Sequence, residues 1–254
     1  MRYWLVMPAA GSSQRFGGAQ PKQFSPLAGS TVMELALRPF LEDPRCAGAV
    51  VVLAAEQLQQ ATADSNAHAG DHAGAGAAAR VLRVAGGARR CDSVQCGLAA
   101  LESHAAADDW VLVHDAARPC LSPADLERLL EAGSGHPVGA LLAEPVTDTI
   151  KRSDGGSNYE GTVDRSRLWR AQTPQMFRYG PLSRALRAAI GAGREPTDEA
   201  QAMEWQGERP LLVAAVDNNI KITSPRDLEL AAAIHALRAV QPRPEGNAEA
   251  GACG

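Results

Sequence analysis

The residues best suited to chemistry gather in a loop after the first apolar run. Met7-Pro8-Ala9-Ala10-Gly11-Ser12-Ser13-Gln14-Arg15-Phe16-Gly17-Gly18 is followed closely by Pro21-Lys22-Gln23. Small side chains at positions 9–13 let the backbone come close to a ligand and point amide N–H groups at phosphate oxygens. Arg15 and Lys22 add fixed positive charge, which phosphoryl transfer needs where negative charge accumulates. The pattern is not a P-loop, because no Gly-Lys-Ser/Thr follows the glycines, and it is not Gly-x-Gly-x-x-Gly either. A glycine-rich connection carrying two surface cations reads the same way locally, so the rest of the chain has to decide. Asp115, in His114-Asp115-Ala116-Ala117-Arg118-Pro119, is an acid in a loop after a fully apolar run. It either faces a ligand or caps its own loop, and Arg118 is either a phosphate ligand or a structural ion-pair partner.

These residues need a scaffold of strand ends. Trp4–Met7, Ala49–Ala54, Val81–Val84, Trp110–Val113, Gly139–Ala143, Leu211–Val216 and Ile220–Thr223 read as strands, several of them continuous apolar runs suited to a sheet covered on both faces. Met33–Leu41 has helical spacing, with Pro39 expected to bend or end it. Ser93–Leu101 places Val94, Leu98 and Leu101 on one helical face. Ser122-Pro123-Ala124-Asp125 and Ser224-Pro225-Arg226-Asp227 each offer a Ser cap, proline at the first helical position and an acid at the positive end of the helix dipole. Strand–helix alternation predicts an α/β fold, a three-layer α/β/α sandwich on a mostly parallel sheet. An irregular polar stretch runs from Glu144 to Arg167, with Asp154-Gly155-Gly156-Ser157-Asn158 as a hairpin tip.

Composition bounds the partners. Apolar residues are 45% and charged residues 21%, a globular balance, and the net charge of -4 gives no pull toward nucleic acid polymers or anionic membranes. Arg2 leads into Tyr3-Trp4-Leu5-Val6-Met7, an apolar run too short to span a bilayer. The five cysteines, Cys46, Cys91, Cys96, Cys120 and Cys253, lack CxxC spacing, which favours free thiols in a cytoplasmic protein over a disulfide framework or zinc cage. Residues 61–79, rich in Ala, Gly and His, and 241–254 read as unstructured. His68, Asp71 and His72 lie in the first of these, where nothing fixes ligand geometry. One domain over residues 1–239 with a flexible tail over 240–254 is the expected organisation.

Further blocks stand in a fixed order: Gly86-Gly87-Ala88-Arg89-Arg90 with Asp92-Ser93-Val94, the His114–Pro119 block, Pro145-Val146-Thr147-Asp148-Thr149-Ile150-Lys151, Thr162-Val163-Asp164-Arg165, Gln172-Thr173-Pro174-Gln175, Thr197-Asp198-Glu199 and Asn219-Ile220-Lys221. Together with the first loop they resemble the 2-C-methyl-D-erythritol 4-phosphate cytidylyltransferase family of the non-mevalonate isoprenoid pathway, from about Trp4 to Arg238. The resemblance implies a Rossmann-like sheet of the nucleotidyltransferase type, with an arm over about 144–167 that embraces a second subunit in a homodimer. It implies transfer of CMP from CTP to 2-C-methyl-D-erythritol 4-phosphate with Mg²⁺ bridging the phosphates and no metal ligand from the protein. Arg15, Lys22 and Lys221 then serve catalysis. Ala9, Ala10, Gly11, Gly87, Ala88 and Ser93 contact base and ribose, and Asp115, Arg118, Thr149, Arg165 and Thr173 meet the acceptor, Thr149 and Arg165 from across the dimer. On the residues alone, a cytidylyltransferase for another polyol phosphate such as ribitol 5-phosphate stays open, as does a nucleotide-binding module without catalysis.

Overall fold

The computed structural model describes residues 1–11, 16, 21–67 and 80–240. Arg15, the segment with His68, Asp71 and His72, and the tail 241–254 therefore lie outside the described residues. The strands are β1 (Tyr3–Pro8), β2 (Pro26–Leu27), β3 (Ser30–Thr31), β4 (Cys46–Leu53), β5 (Val81–Ala85), β6 (Trp110–Val113), β7 (Gly139–Pro145), β8 (Ile150–Ser153), β9 (Tyr159–Val163), β10 (Trp169–Arg178) and β11 (Leu211–Ala214). The helices are α1 (Val32–Glu42), α2 (Ala55–Ala67), α3 (Arg90–Ala99), α4 (Pro123–Ser134), α5 (Tyr179–Gly191), α6 (Glu199–Glu204) and α7 (Pro225–Val240).

Seven strands form one sheet in the order β11-β7-β10-β6-β1-β4-β5. All neighbours are parallel except β10, which runs antiparallel to both β6 and β7. The two-residue period of a strand sorts the core into two layers. Tyr3, Leu5 and Met7 of β1 join Ala36 and Phe40 of α1 and Leu126, Leu129 and Leu130 of α4 on one face. Val6 of β1 joins Val94 and Leu98 of α3, Leu182 and Leu186 of α5 and Met203 of α6 on the other. This is the expected α/β/α sandwich. A third cluster seats α7, through Ala231 and Ile234, on Leu27, Cys120 and Ile222.

Several sequence expectations need correction. Pro39 does not end α1, which continues to Glu42. Proline in a helix interior costs about 3 kcal/mol, but Phe40 just beyond it is fully buried, and such a side chain contributes about 1.5–3 kcal/mol. Residues 61–67, expected as unstructured, extend α2, because alanine-rich sequence has the strongest intrinsic helix propensity. Ile220–Thr223 is not a strand. Its backbone is engaged elsewhere: Ile222 N–H donates to Ala117 O at 2.8 Å and Ile222 O accepts from Lys22 Nζ. Conversely, β10 escapes a reading by apolar runs, since Gln172-Thr173-Pro174-Gln175 breaks its pattern. That break is a bulge, located between the register pairs Ala171↔Ala143 and Gln175↔Leu141. The Ser122 cap is as expected, its hydroxyl accepting from Asp125 N–H at 3.1 Å. Asp125 itself does more than face the dipole: its carboxylate accepts from the N–H groups of Val216 and Asp217.

The polar stretch after β7 forms an antiparallel hairpin, β8–β9, outside the main sheet and largely exposed. Gly155, at φ +93°, turns its tip. Where β7 starts, Gly139 has φ +122°, and a Cβ there would lie 2.1 Å from Met176 O on β10. Gly139→Ala is therefore expected to lower unfolding free energy by about 2–3 kcal/mol in urea titration; wild-type stability would mean that β7 and β10 separate without cost.

Candidate active site

Parallel strands place a ligand crevice beyond their C-terminal ends, and here a cavity of about 390 Å³ opens at that edge. Pro8, Ala9, Ala10 and Gly11 line it from the end of β1. Gly87, Ala88, Arg89, Arg90 and Ser93 line it from the turn after β5 and the start of α3, whose positive end suits phosphate oxygens. Asp115, Ala116 and Ala117 come from the end of β6, and Lys22, Lys221 and Thr223 from outside the sheet.

Each wall has a local cause. Gln23, nearly fully buried, donates its amide N–H groups to Ala9 O at 2.7 Å and Gly11 O at 3.2 Å, so the Pro21-Lys22-Gln23 block holds the first loop as well as offering a cation. A Cβ on Gly86 would stand 2.7 Å from Ala10 Cβ and from Ser93 Oγ, and one on Gly87 only 2.4 Å from Asp92 Cβ. The glycine pair is thus required by the close approach of two loops and not by a turn alone. Asp92 accepts from Arg89 N–H at 3.2 Å and from the Arg89 guanidinium at 2.7 and 2.9 Å, fixing the start of α3.

The centre of the site is Asp115. Burial pushes its carboxyl up, but Arg90, Lys221 and Arg118 outweigh that and hold it well below the usual carboxylate range. Arg90 donates to Oδ1 through Nε at 3.1 Å and Nη2 at 3.0 Å, Lys221 Nζ lies 2.8 Å from Oδ2, and Arg118 Nε lies 3.8 Å from Oδ2. The far side of Arg90 is bound by Glu199, with Nη1 to Oε1 at 2.7 Å and Nη2 to Oε2 at 3.1 Å. Burial pushes the Glu199 carboxyl up, and Arg90 opposes this.

Behind Asp115 runs a directed chain of hydrogen bonds. Asp115 N–H donates to Thr173 Oγ1 at 3.0 Å, Thr173 Oγ1 lies 3.1 Å from His114 Nδ1, and His114 Nε2 lies 3.1 Å from Arg118 O. A carbonyl only accepts, so Nε2 carries the proton; Nδ1 then accepts from the threonine hydroxyl, which accepts in turn from Asp115. The chain is satisfied only with a neutral ring. Burial depresses the His114 pKa to about 4, against hydrogen bonding to Arg118 O and the Asp115 charge, which raise it. In the unfolded chain the ring takes up its proton near 6.5. The folded state binds fewer protons between those values, so this stability is complete above pH 6.5 and is lost as pH falls toward 4. The contribution is on the order of 3 kcal/mol. NMR titration is expected to show His114 neutral down to about pH 4, with unfolding free energy falling over pH 6.5–4; a ring titrating near 6.5 would contradict the chain.

The structure brings together nine of the expected site residues, Ala9, Ala10, Gly11, Lys22, Gly87, Ala88, Ser93, Asp115 and Lys221. Thr173 and Arg118 do not line the cavity. Thr173 is buried behind Asp115, and Arg118, itself largely buried, donates to Asn219 O at 2.7 Å. Thr149 and Arg165 sit at the base of the β8–β9 hairpin, Arg165 Nη1 donating to Thr149 Oγ1 at 3.4 Å, exposed and away from the lining of the cavity. Reading the sequence assigned no role to Arg90, Glu199, Gln23 or Gln175. Arg90 and Glu199 stand 109 positions apart, and only the fold pairs them. Among the described residues no three His, Cys, Asp or Glu side chains gather to hold a metal ion, and no helix is long and apolar enough to cross a membrane.

Comparison with known proteins agrees with this geometry. The sequence profile of the 2-C-methyl-D-erythritol 4-phosphate cytidylyltransferase family matches residues 3–236. The chain is 50% identical to the 2-C-methyl-D-erythritol 4-phosphate cytidylyltransferase of Stenotrophomonas maltophilia K279a over 226 residues, covering 89% of this chain and 93% of that protein. It is 50% identical to the protein of the same name from Pseudomonas aeruginosa UCBPP-PA14 over 227 residues, with the same coverage. Among solved structures, the Francisella tularensis enzyme of that name superposes with TM-score 0.75 at 30% identity, covering 92% of this chain and all of that one. A 4-diphosphocytidyl-2C-methyl-D-erythritol synthase superposes with TM-score 0.74 at 36% identity, covering 92% and 98%. A family profile spanning nearly the whole sheet, and relatives sharing half their residues across it, leave one assignment: the chain belongs to the 2-C-methyl-D-erythritol 4-phosphate cytidylyltransferase family.

Proposed function

We propose that this chain transfers the cytidylyl group of CTP to the phosphate of 2-C-methyl-D-erythritol 4-phosphate, giving 4-diphosphocytidyl-2-C-methyl-D-erythritol and pyrophosphate. The observation that carries the reading is that Lys22 and Lys221, from opposite ends of the chain, face one cavity together with a small-residue loop and the start of α3. Family membership supplies the nucleotide and the acceptor. Residues 1–239 act as one nucleotidyltransferase domain in this reading, in the cytoplasm, where thiols such as Cys46, Cys91, Cys96 and Cys120 stay reduced.

The nucleophile needs no general base, because a phosphate monoester with its second pKa near about 6 is largely dianionic at neutral pH. One acceptor phosphate oxygen forms a bond to the α-phosphorus of CTP; the bond from that phosphorus to the bridging oxygen breaks, and pyrophosphate leaves with the electron pair. Catalysis reduces to alignment and to cations that offset the growing charge. Lys22 and Lys221 supply that charge within the cavity, with Arg15 as a third cation. Ala9, Ala10, Gly11, Gly87, Ala88 and Ser93 bound the space for base and ribose. Asp115 holds acceptor hydroxyls, while Arg118 and Thr173 keep Asp115 in place. Asp115 is the one carboxylate among the described residues that line the cavity. A lining with a single carboxylate would suit a Mg²⁺ held chiefly by the substrate phosphates, with Asp115 as the one acidic side chain near it, and the ion would supply further charge neutralisation.

Thr149 and Arg165 complete the acceptor site from the arm of a second copy, so the working unit is a homodimer. Support comes from their exposure on a hairpin that packs outside its own sheet.

With CTP and Mg²⁺, pyrophosphate release is expected with 2-C-methyl-D-erythritol 4-phosphate and not with ribitol 5-phosphate. Lys22→Ala and Lys221→Ala are each expected to lower kcat/KM by about 10²–10³-fold. Turnover with ribitol 5-phosphate alone would keep the chemistry and reject the acceptor. Arg165→Ala and Lys22→Ala are each expected to be nearly inactive, yet to regain turnover when co-expressed, since a mixed dimer holds one intact site; no recovery would place Arg165 in its own chain's site.

A further inference from the structure

We infer that Glu199 is a positioning residue which, through Arg90, sets the orientation of Asp115 and so the face offered to the acceptor; this rests on the reaction proposed above. Glu199 is fully buried and does not line the cavity, so it touches no substrate. Its two oxygens take one edge of the Arg90 fork at 2.7 and 3.1 Å, and the other edge takes Asp115 Oδ1 at 3.1 and 3.0 Å. A planar guanidinium bound along two edges has no freedom to rotate. Asp115 Oδ1 is thereby saturated, and Oδ2 is left to Lys221 at 2.8 Å on the cavity side.

Glu199 is itself fixed by two neighbours. Asp198 caps α6 by accepting from Gln201 N–H at 2.9 Å. Gln175 of β10 donates to Asp198 Oδ2 at 2.9 Å and accepts from Ala200 N–H at 2.8 Å. The Thr197–Glu199 block thus binds the Arg90 guanidinium, and Gln175 braces that block from β10. Glu199 has a second effect: it retains Arg90. With that carboxylate neutralised, Arg90 loses the partner along one edge and no longer fixes Asp115 through the other. A residue acting this way changes acceptor handling while leaving nucleotide affinity nearly intact.

Steady-state kinetics of Glu199→Gln, which keeps shape and removes charge, tests this. The expected result is a ten- to hundredfold loss in kcat/KM for the acceptor, of the size that follows small misplacements, with KM for CTP within about twofold. In the double variant with Asp115→Asn, no further loss is expected beyond Asp115→Asn alone. Unchanged acceptor kinetics, an equal rise in KM for CTP, or additive losses would each overturn the inference. Should Glu199→Gln fail to fold, Arg90→Lys keeps the charge and removes the fork, and the same acceptor-selective loss is expected. The Arg90 Nε–H resonance reads the geometry without turnover: slow solvent exchange in the wild type and faster exchange in Glu199→Gln, with equal exchange counting against the inference. A wild type that releases no pyrophosphate with this acceptor rejects the proposed reaction and leaves the resonance test standing.

Discussion

Everything at this site is arranged around one ionised carboxylate in a place where water cannot solvate it well. Removing a carboxylate from water costs several kcal/mol unless cations and hydrogen bonds replace the lost solvent. The Asp115 carboxylate receives those replacements from three side chains, Arg90 at the start of α3, Lys221 in the last loop and Arg118 in its own loop, while Thr173 in the bulge of β10 accepts from its backbone N–H. None of these could shift without exposing a charge to a poor solvent. Preorganisation is therefore a by-product of satisfying Asp115, and the cavity keeps its shape without a ligand to shape it.

The same constraint separates the site into residues that face the cavity and residues that hold them. Gln23, Thr173, Gln175, Asn219 and Glu199 are all nearly fully buried polar side chains. Asn219 donates to Thr173 O at 2.7 Å and to Gln172 Oε1 at 3.2 Å, tying the bulge of β10 to the loop that carries Lys221. A buried polar group without partners costs about 1–3 kcal/mol, so the Gln23 and Gln175 amides and the Glu199 carboxylate are committed to their partners. A motif block and a cavity wall are therefore different things: Gln172-Thr173-Pro174-Gln175 lies behind the cavity, while Gly87-Ala88 is wall.

Much of the scaffold was legible in the sequence, for identifiable reasons. Trp110–Val113 is apolar at every position because both faces of β6 are covered, and Ser122-Pro123 starts α4 because capping is local chemistry. The loop after β1 and the lysine that follows it stood out by residue type. What escaped notice depends on partners distant in sequence. β10 carries polar residues at its centre because they serve neighbouring loops, which erases the apolar run that marks a strand. Glu199 stands in a motif block without a role, and Arg118 is either a phosphate ligand or an ion-pair partner, until burial and pairing are known. Ile220–Thr223 has strand composition, yet its backbone groups are taken by Ala117 and Lys22.

One bond has a temporal consequence. Lys22 Nζ donates to the carbonyl of Ile222, a separation of 200 residues, and Lys221 beside it is the partner of Asp115. A polypeptide leaves the ribosome N-terminus first, at about 5–20 residues per second. The loop after β1 and Asp115 are thus synthesised well before the segment that neutralises and closes them. An incomplete chain lacks one of the two lysines that line the cavity and the carbonyl that holds the other. The cavity therefore reaches its final lining and charge balance only when the last loop has emerged.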